Sequence, residues 1–156
     1  MAVTTYEAIR DDQITAIAAI TPTSHSGTKF IVSLDEGDFR AWAERFPQAC
    51  FRRFTIRYLS EDEAENSNLD VEFRTVQAEV VVSYPNNRKY GSHNTRDMND
   101  VMRQDAISIG NAAGVRGYGS LGPDATVTNS KPEHETGDAV SFLVMPYTVR
   151  YWEAVS

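Results

Sequence analysis

The sequence predicts an α+β domain: a largely antiparallel sheet with two long helices packed on one face, plus long loops. Three observations carry that expectation. Thr4–Ile20 and Asn94–Ala113 place apolar residues at helical spacing. Phe51–Leu59 and Val71–Tyr84 are strand-like runs close enough in sequence to pair as a hairpin. The run Asp138–Ala154 is the most strand-like of all. Helix, strand, hairpin, helix and closing strand, in that order, segregate helices from a mainly antiparallel sheet.

In the first helix, Thr4 and Glu7 have capping-box spacing, and Tyr6, Ile9, Ile14, Ile17 and Ile20 form one broad face opposite Asp11, Asp12 and Thr15. Pro22 stops it, a loop follows to Gly27, and Phe30–Leu34 reads as a short strand. Asp38 is placed to cap a short helix carrying Phe39, Trp42, Ala43 and Phe46, which Pro47 ends. That aromatic stripe suits a core, or a patch pressed on a neighbouring subunit.

Phe54, Ile56 and Tyr58 then alternate with Arg53, Thr55 and Arg57, the pattern of a strand buried on one side. The polar stretch 61–70 is a loop. From Val71 the apolar phase switches, from Val71 and Phe73 to Val76, Ala78, Val80, Val82 and Tyr84. This predicts a bulge near Thr75 or a strand whose two halves serve different surfaces. Asn94 or Thr95 caps the second long helix, whose buried stripe is Met98, Val101, Met102, Ala106, Ile109 and Ala112, and Gly114 ends it. The stretch 114–137 exceeds an ordinary connection and reads as a long loop containing a brief strand at Ala125–Thr128.

In the closing run, Val140 and Phe142–Met145 form an apolar block suited to a strand covered on both faces. Beyond Pro146, Tyr147, Val149 and Tyr151 alternate with Thr148, Arg150 and Trp152. Fully extended, the run spans roughly 50–55 Å at about 3.3 Å per residue. It therefore bends at Pro146, or part of it leaves the subunit.

The length of 156 residues fits a single domain, 1–156. Fifteen Lys and Arg against twenty-two Asp and Glu give a net charge of −7, which excludes a domain-wide basic footprint for nucleic acid. The single Cys50 permits no internal disulfide, and the first residues lack the basic and apolar regions of a signal peptide, so synthesis in the cytoplasm is expected. No apolar run is long enough to predict a membrane span.

Catalytic and binding motifs are absent from the sequence. Gly117–Gly122 matches GxGxxG by letter, but a helix precedes it and Pro123-Asp124 follows, the wrong context for a dinucleotide. His25, His93 and His134 fall in separate loops without metal-ligand spacing; His134, between Glu133 and Glu135, is the sole local cluster a metal would visit. Glu61, Asp62, Glu63 and Glu65 have no apolar surroundings to desolvate a general acid. No catalytic residue, cofactor or metal ligand is predicted, and the chain reads as non-enzymatic. The candidate residues belong instead to a subunit interface: Arg52, Arg53 and Arg57 near the start of one strand, and Tyr147, Tyr151 and Trp152 in the closing run. The arginines are expected to meet either the acidic loop of their own hairpin or an acidic neighbouring subunit.

The segments TTYEAIRDDQITAIAAI, PQACFRRFTIRY, VQAEVVVSYP, TRDMNDVMRQDAISIGNA and VMPYTVRYWEA, taken together, resemble the small tail-terminator and head-tail joining (neck) proteins of long-tailed bacteriophages. The resemblance is one of element order over most of the chain; the 21–50 and 114–137 stretches depart from shorter family members. It implies a virion protein whose subunits close into a ring, commonly a hexamer, at the head-proximal end of the tail. Such a ring stops tube polymerisation, meets the tail-tube and neck or head-closure proteins, and lets DNA pass through its lumen without specific binding. The alternatives are another neck or tail-tube subunit, or a small soluble ligand-binding or enzymatic α+β domain.

Overall fold

A computed structural model describes residues 3–25, 27–33, 38–62, 70–86, 95–115, 126–129 and 131–154. In chain order the elements are α1 (Tyr6–Ala18), β1 (Ile31–Val32), α2 (Phe39–Arg45), a 3₁₀ turn (Pro47–Ala49), β2 (Arg53–Glu61), β3 (Val71–Pro85), α3 (Thr95–Ile109) running into a π-helical turn (Gly110–Val115), β4 (Thr126–Asn129), β5 (Glu133–Thr136) and β6 (Val140–Ala154). The Gly117–Gly122 motif, Glu63, Glu65 and His93 lie outside the described residues.

The α+β class holds, but the expected largely antiparallel sheet with two long helices on one face is corrected. The sheet has six strands in the order β1-β2-β3-β6-β4, with β5 also on β6, and it is mixed because β1 pairs parallel with β2. Among the described residues three α-helices flank it. None is long: α1, α2 and α3 have 13, 7 and 15 residues. The aromatic stripe of Phe39 and Trp42 explains the difference, because it gives the second face of the sheet a helix of its own.

Residue alternation sorts the two cores. Val80, Val82 and Tyr84 of β3 and Leu143, Met145 and Val149 of β6 join Ile9 and Ile17 of α1 and Val101, Met102 and Ile109 of α3 on one face. Val81, Phe142 and Val144, one residue out of phase, join Phe39 and Ala43 of α2 on the other. With both faces covered, Thr55 is buried although it alternates with the apolar residues of β2.

The closing strand neither bends away nor leaves the subunit. β6 pairs with β3 without interruption from Val71↔Ala154 to Pro85↔Val140. On its other side β5 covers Ser141–Val144 and β4 covers Tyr147–Arg150. Pro146 falls in the gap between these two short strands, where no neighbour asks for the N–H it lacks. The apolar phase switch in β3 is a division of labour between surfaces: Val76 onward faces the α1/α3 core, whereas Phe73 packs on Trp152 at a ring distance of 5.1 Å. The bulge lies in β2 instead, between Tyr58 and Ser60.

Helix α1 begins one residue later than the capping box implied, with Thr5 as N-cap accepting from the Ala8 amide at 3.1 Å. Its buried stripe is Tyr6, Ile9, Gln13 and Ile17. Gln13 is tolerated there because its Oε1 accepts a 2.8 Å hydrogen bond from the Tyr147 hydroxyl.

Candidate functional site

The two borders of the sheet are built differently from its centre. β1 covers only the first two residues of β2, pairing Ile31↔Arg53 and Val32↔Phe54. The Ser33 amide donates to the Phe54 carbonyl at 2.7 Å, which fixes the direction in which even-numbered residues of β2 present their backbone. By two-residue alternation, Ile56 and Tyr58 aim their N–H and C=O groups out of the sheet. Among the described residues no strand takes them. Tyr58 and Leu59, on this open stretch, are 45% and 46% exposed. An unpaired edge with exposed large apolar residues is a template for another strand.

The opposite border is β5 followed by β4, both antiparallel to β6. Tracing register across the sheet places the borders level with each other. Arg53 of β2 lies opposite Ser83, Phe142 and then Glu135; Thr55 lies opposite Val81, Val144 and then Glu133. Arg53 therefore shares a face and a height with Glu135, and Thr55 with Glu133, whereas Arg57, on the same face, traces through Glu79 to Pro146, level with the gap between β5 and β4. Within the subunit a chain of charges joins Arg57 to Glu135. Arg57 Nη1 meets Glu79 Oε1 at 3.3 Å, Arg40 of α2 reaches the same Glu79 oxygen at 3.8 Å, and Arg40 also pairs with Glu135. Arg53 lies over the Trp42 ring at 5.7 Å, and among the described residues neither it nor Glu133 has an ion-pair partner.

Of the six sequence-predicted interface residues, only Arg57 stands on the open stretch of β2; Arg53 is covered by Ile31 of β1. Arg52 is corrected to a core residue, 0% exposed, at a positive φ of 56°. Its Nε and Nη2 meet both oxygens of Asp105 at 2.9 Å. Its remaining N–H groups donate to the carbonyls of Ser24, His25 and Thr28 at 2.8–3.0 Å. Tyr84 completes the cluster, its hydroxyl donating to Asp105 at 2.6 Å. The guanidinium thus spends all five donors inside the subunit, which leaves nothing for a neighbour. Tyr147 and Tyr151 are buried by α1 and are likewise core residues, whereas Trp152 is half-buried against Phe73.

Missed by sequence reasoning is a polar cleft of about 330 Å³ where the N-terminal turn of α1 crosses the ends of β2, β3 and β6. Arg74 stands in it, bonded to Glu61 at 2.9 Å, Glu72 at 2.7 Å and Glu153 at 3.3 Å. Tyr6 and Tyr58 meet edge to face at 5.6 Å on its wall, and Tyr151 lies beneath. Burial raises the Glu153 pKa; Arg74 opposes the rise, while Glu61, Glu7 and Glu72 add to it. A carboxyl whose pKa is higher folded than unfolded stabilises the fold fully below the unfolded value and loses that contribution as pH rises through the folded one. Glu153→Gln is accordingly expected to raise the melting temperature at pH 7 by about 1–2 °C. Thermal scans at pH 7 and below pH 4 check this: the gain should vanish in acid, and a lower melting point at pH 7 would contradict it.

Burial pushes the Cys50 thiol up to about 11, so it stays protonated at neutral pH. His134 sits on β5, not in a loop, and no group of three or more His, Cys, Asp or Glu among the described residues is arranged to hold a metal ion. No helix among them is long and apolar enough to cross a membrane. Compared with known proteins, the chain matches no family model and no curated protein.

Proposed function

We infer that this chain is a structural subunit that closes into a ring by joining the β2 border of one copy to the β5/β4 border of the next. The observation that carries this reading is the match between borders: open backbone groups at Ile56 and Tyr58 with the cationic Arg57 between them on β2, and on the far side a short acidic border, Glu133 and Glu135 of β5, facing the same way. β5 and β4 run opposite to β6 and hence opposite to β2, so the join is an antiparallel ladder. Different borders meeting head to tail make a heterologous contact, the kind that closes into a ring when the rotation per subunit permits.

Together with the resemblance in element order, this supports a tail-terminator role: a ring, commonly a hexamer, at the head-proximal end of a phage tail. Its partners are the tail-tube protein below and a neck protein above, with DNA passing through the lumen unbound. The net charge of −7 suits passage without grip.

Light scattering on the purified protein, alone and with its tail tube, tests the ring. Arg57→Glu is expected to disperse it, and adding Glu133→Arg, its diagonal neighbour across the join, is expected to restore it. A wild-type chain that stays monomeric even with an intact tube, or a double variant no better than Arg57→Glu, would overturn this reading. Self-stacking into tubes would reassign the chain to a tube subunit.

A further inference from the structure

The cleft at the N-terminal end of α1 has a composition that the ring does not use. Three carboxylates, Glu7, Glu61 and Glu153, line it beside two guanidiniums, Arg10 and Arg74, and a fourth, Glu72, pairs with Arg74 from outside the lining, an excess of two negative charges about one opening. Arg74 is already held by three of the four carboxylates, and Arg10 leans 3.9 Å from Asp11. Tyr151 adds an independent sign. It is 2% exposed and lines the cleft, yet among the described residues its hydroxyl has no hydrogen-bond partner. A buried polar group left open toward a cavity is ordinarily satisfied by what enters it. The aromatic rings of Tyr6 and Tyr58 form the adjoining wall.

We propose that this cleft seats a basic side chain, an arginine or lysine, of a partner protein other than a second copy of this chain. Excess carboxylate, aromatic faces and a waiting phenol oxygen are the features that recognise a guanidinium or ammonium group. The identity of the partner follows from register. Joined border to border, the next copy brings β4, Thr126–Asn129, level with Tyr58 to Glu61, and that strand has no basic residue. The cation comes from a third component that docks over the start of α1 once the ring border is filled. The choice of partner rests on the ring reading; the cation site does not, because the cleft lies within one subunit.

Titration of the purified chain with L-arginine amide, followed by NMR of the tyrosine ring signals, tests the site. Saturable shifts at Tyr58 and Tyr151 are expected, weakened about tenfold in Glu153→Gln and also weakened in Tyr151→Phe. The Glu153→Gln fold is expected to be intact, so loss of binding there reports recognition. Non-saturable shifts, equal binding by both variants, or saturable binding of inorganic phosphate at the same signals would overturn the proposal. Light scattering of the same variants separates the two ideas. A ring that persists in Glu153→Gln while arginine amide no longer binds assigns the cleft to a foreign partner. Dispersal of the ring by that substitution would give the cleft to a second copy and overturn the choice of partner.

Discussion

Asp105→Ala is expected to cost the fold about 3–5 kcal/mol, the loss typical of removing one member of a buried ion pair. The substitution strips Arg52 of its bidentate carboxylate and removes the acceptor of the Tyr84 hydroxyl in a site with no solvent access. A fall of that size takes a large share of the roughly 5–15 kcal/mol that holds a domain folded. Urea unfolding followed by circular dichroism measures it as a lower midpoint with an unchanged slope. An isosteric apolar pair, Arg52→Met with Asp105→Leu, is not expected to rescue the loss. Unlike a simple buried pair, Arg52 also holds the carbonyls of Ser24, His25 and Thr28. A loss below about 1 kcal/mol in Asp105→Ala would mean that this network contributes little.

Tyr58→Pro is expected to dissolve the ring while leaving the subunit folded. Its N–H points away from β3, so proline removes no bond of the β2–β3 ladder, and the neighbouring bulge at Tyr58/Ser60 tolerates the ring. The internal losses are the edge-to-face contact with Tyr6, worth about 0.5–1.5 kcal/mol, and an exposed hydrogen bond to Glu61. Tyr58→Ala carries the same internal losses with the backbone donor intact and serves as the control. Light scattering should find monomers for the proline variant and at least partial assembly for the alanine variant. Rings of full size from the proline variant would show that the contact between copies lies elsewhere.

Much of the fold is legible in local pattern. The helical stripes of α1 and α3, the antiparallel β2–β3 hairpin and the doubly covered start of β6 all appear in spacing alone, because each depends on neighbours within a few residues. What was not legible depends on distance along the chain. Arg52 reads as one of three surface arginines until Asp105, 53 residues away, turns out to face it. The helix α2 reads as an ordinary aromatic stripe, and only the odd-phase residues Val81, Phe142 and Val144 reveal that a second face awaits it. Glu133 and Glu135 read as metal-visiting flanks of His134 within a long loop. Pairing with β6 makes them the acidic border of the sheet, at the height of Thr55 and Arg53 on its far side. Four carboxylates drawn from α1, β2, β3 and β6 had no common signature at all, since each is an ordinary polar residue at its own strand end or helix start.

The central place of β6 has a consequence for how the chain reaches its native state. Every hydrogen bond between β3 and β6 joins residues separated by at least the whole of α3, and among the described residues β4 and β5 have no strand neighbour but β6. Three of the other five described strands, β3, β4 and β5, therefore wait on β6, so a chain whose β6 has not yet emerged from the ribosome carries an incomplete sheet. Topology of this kind folds slowly and leaves strand borders unpaired until the long-range ladder closes.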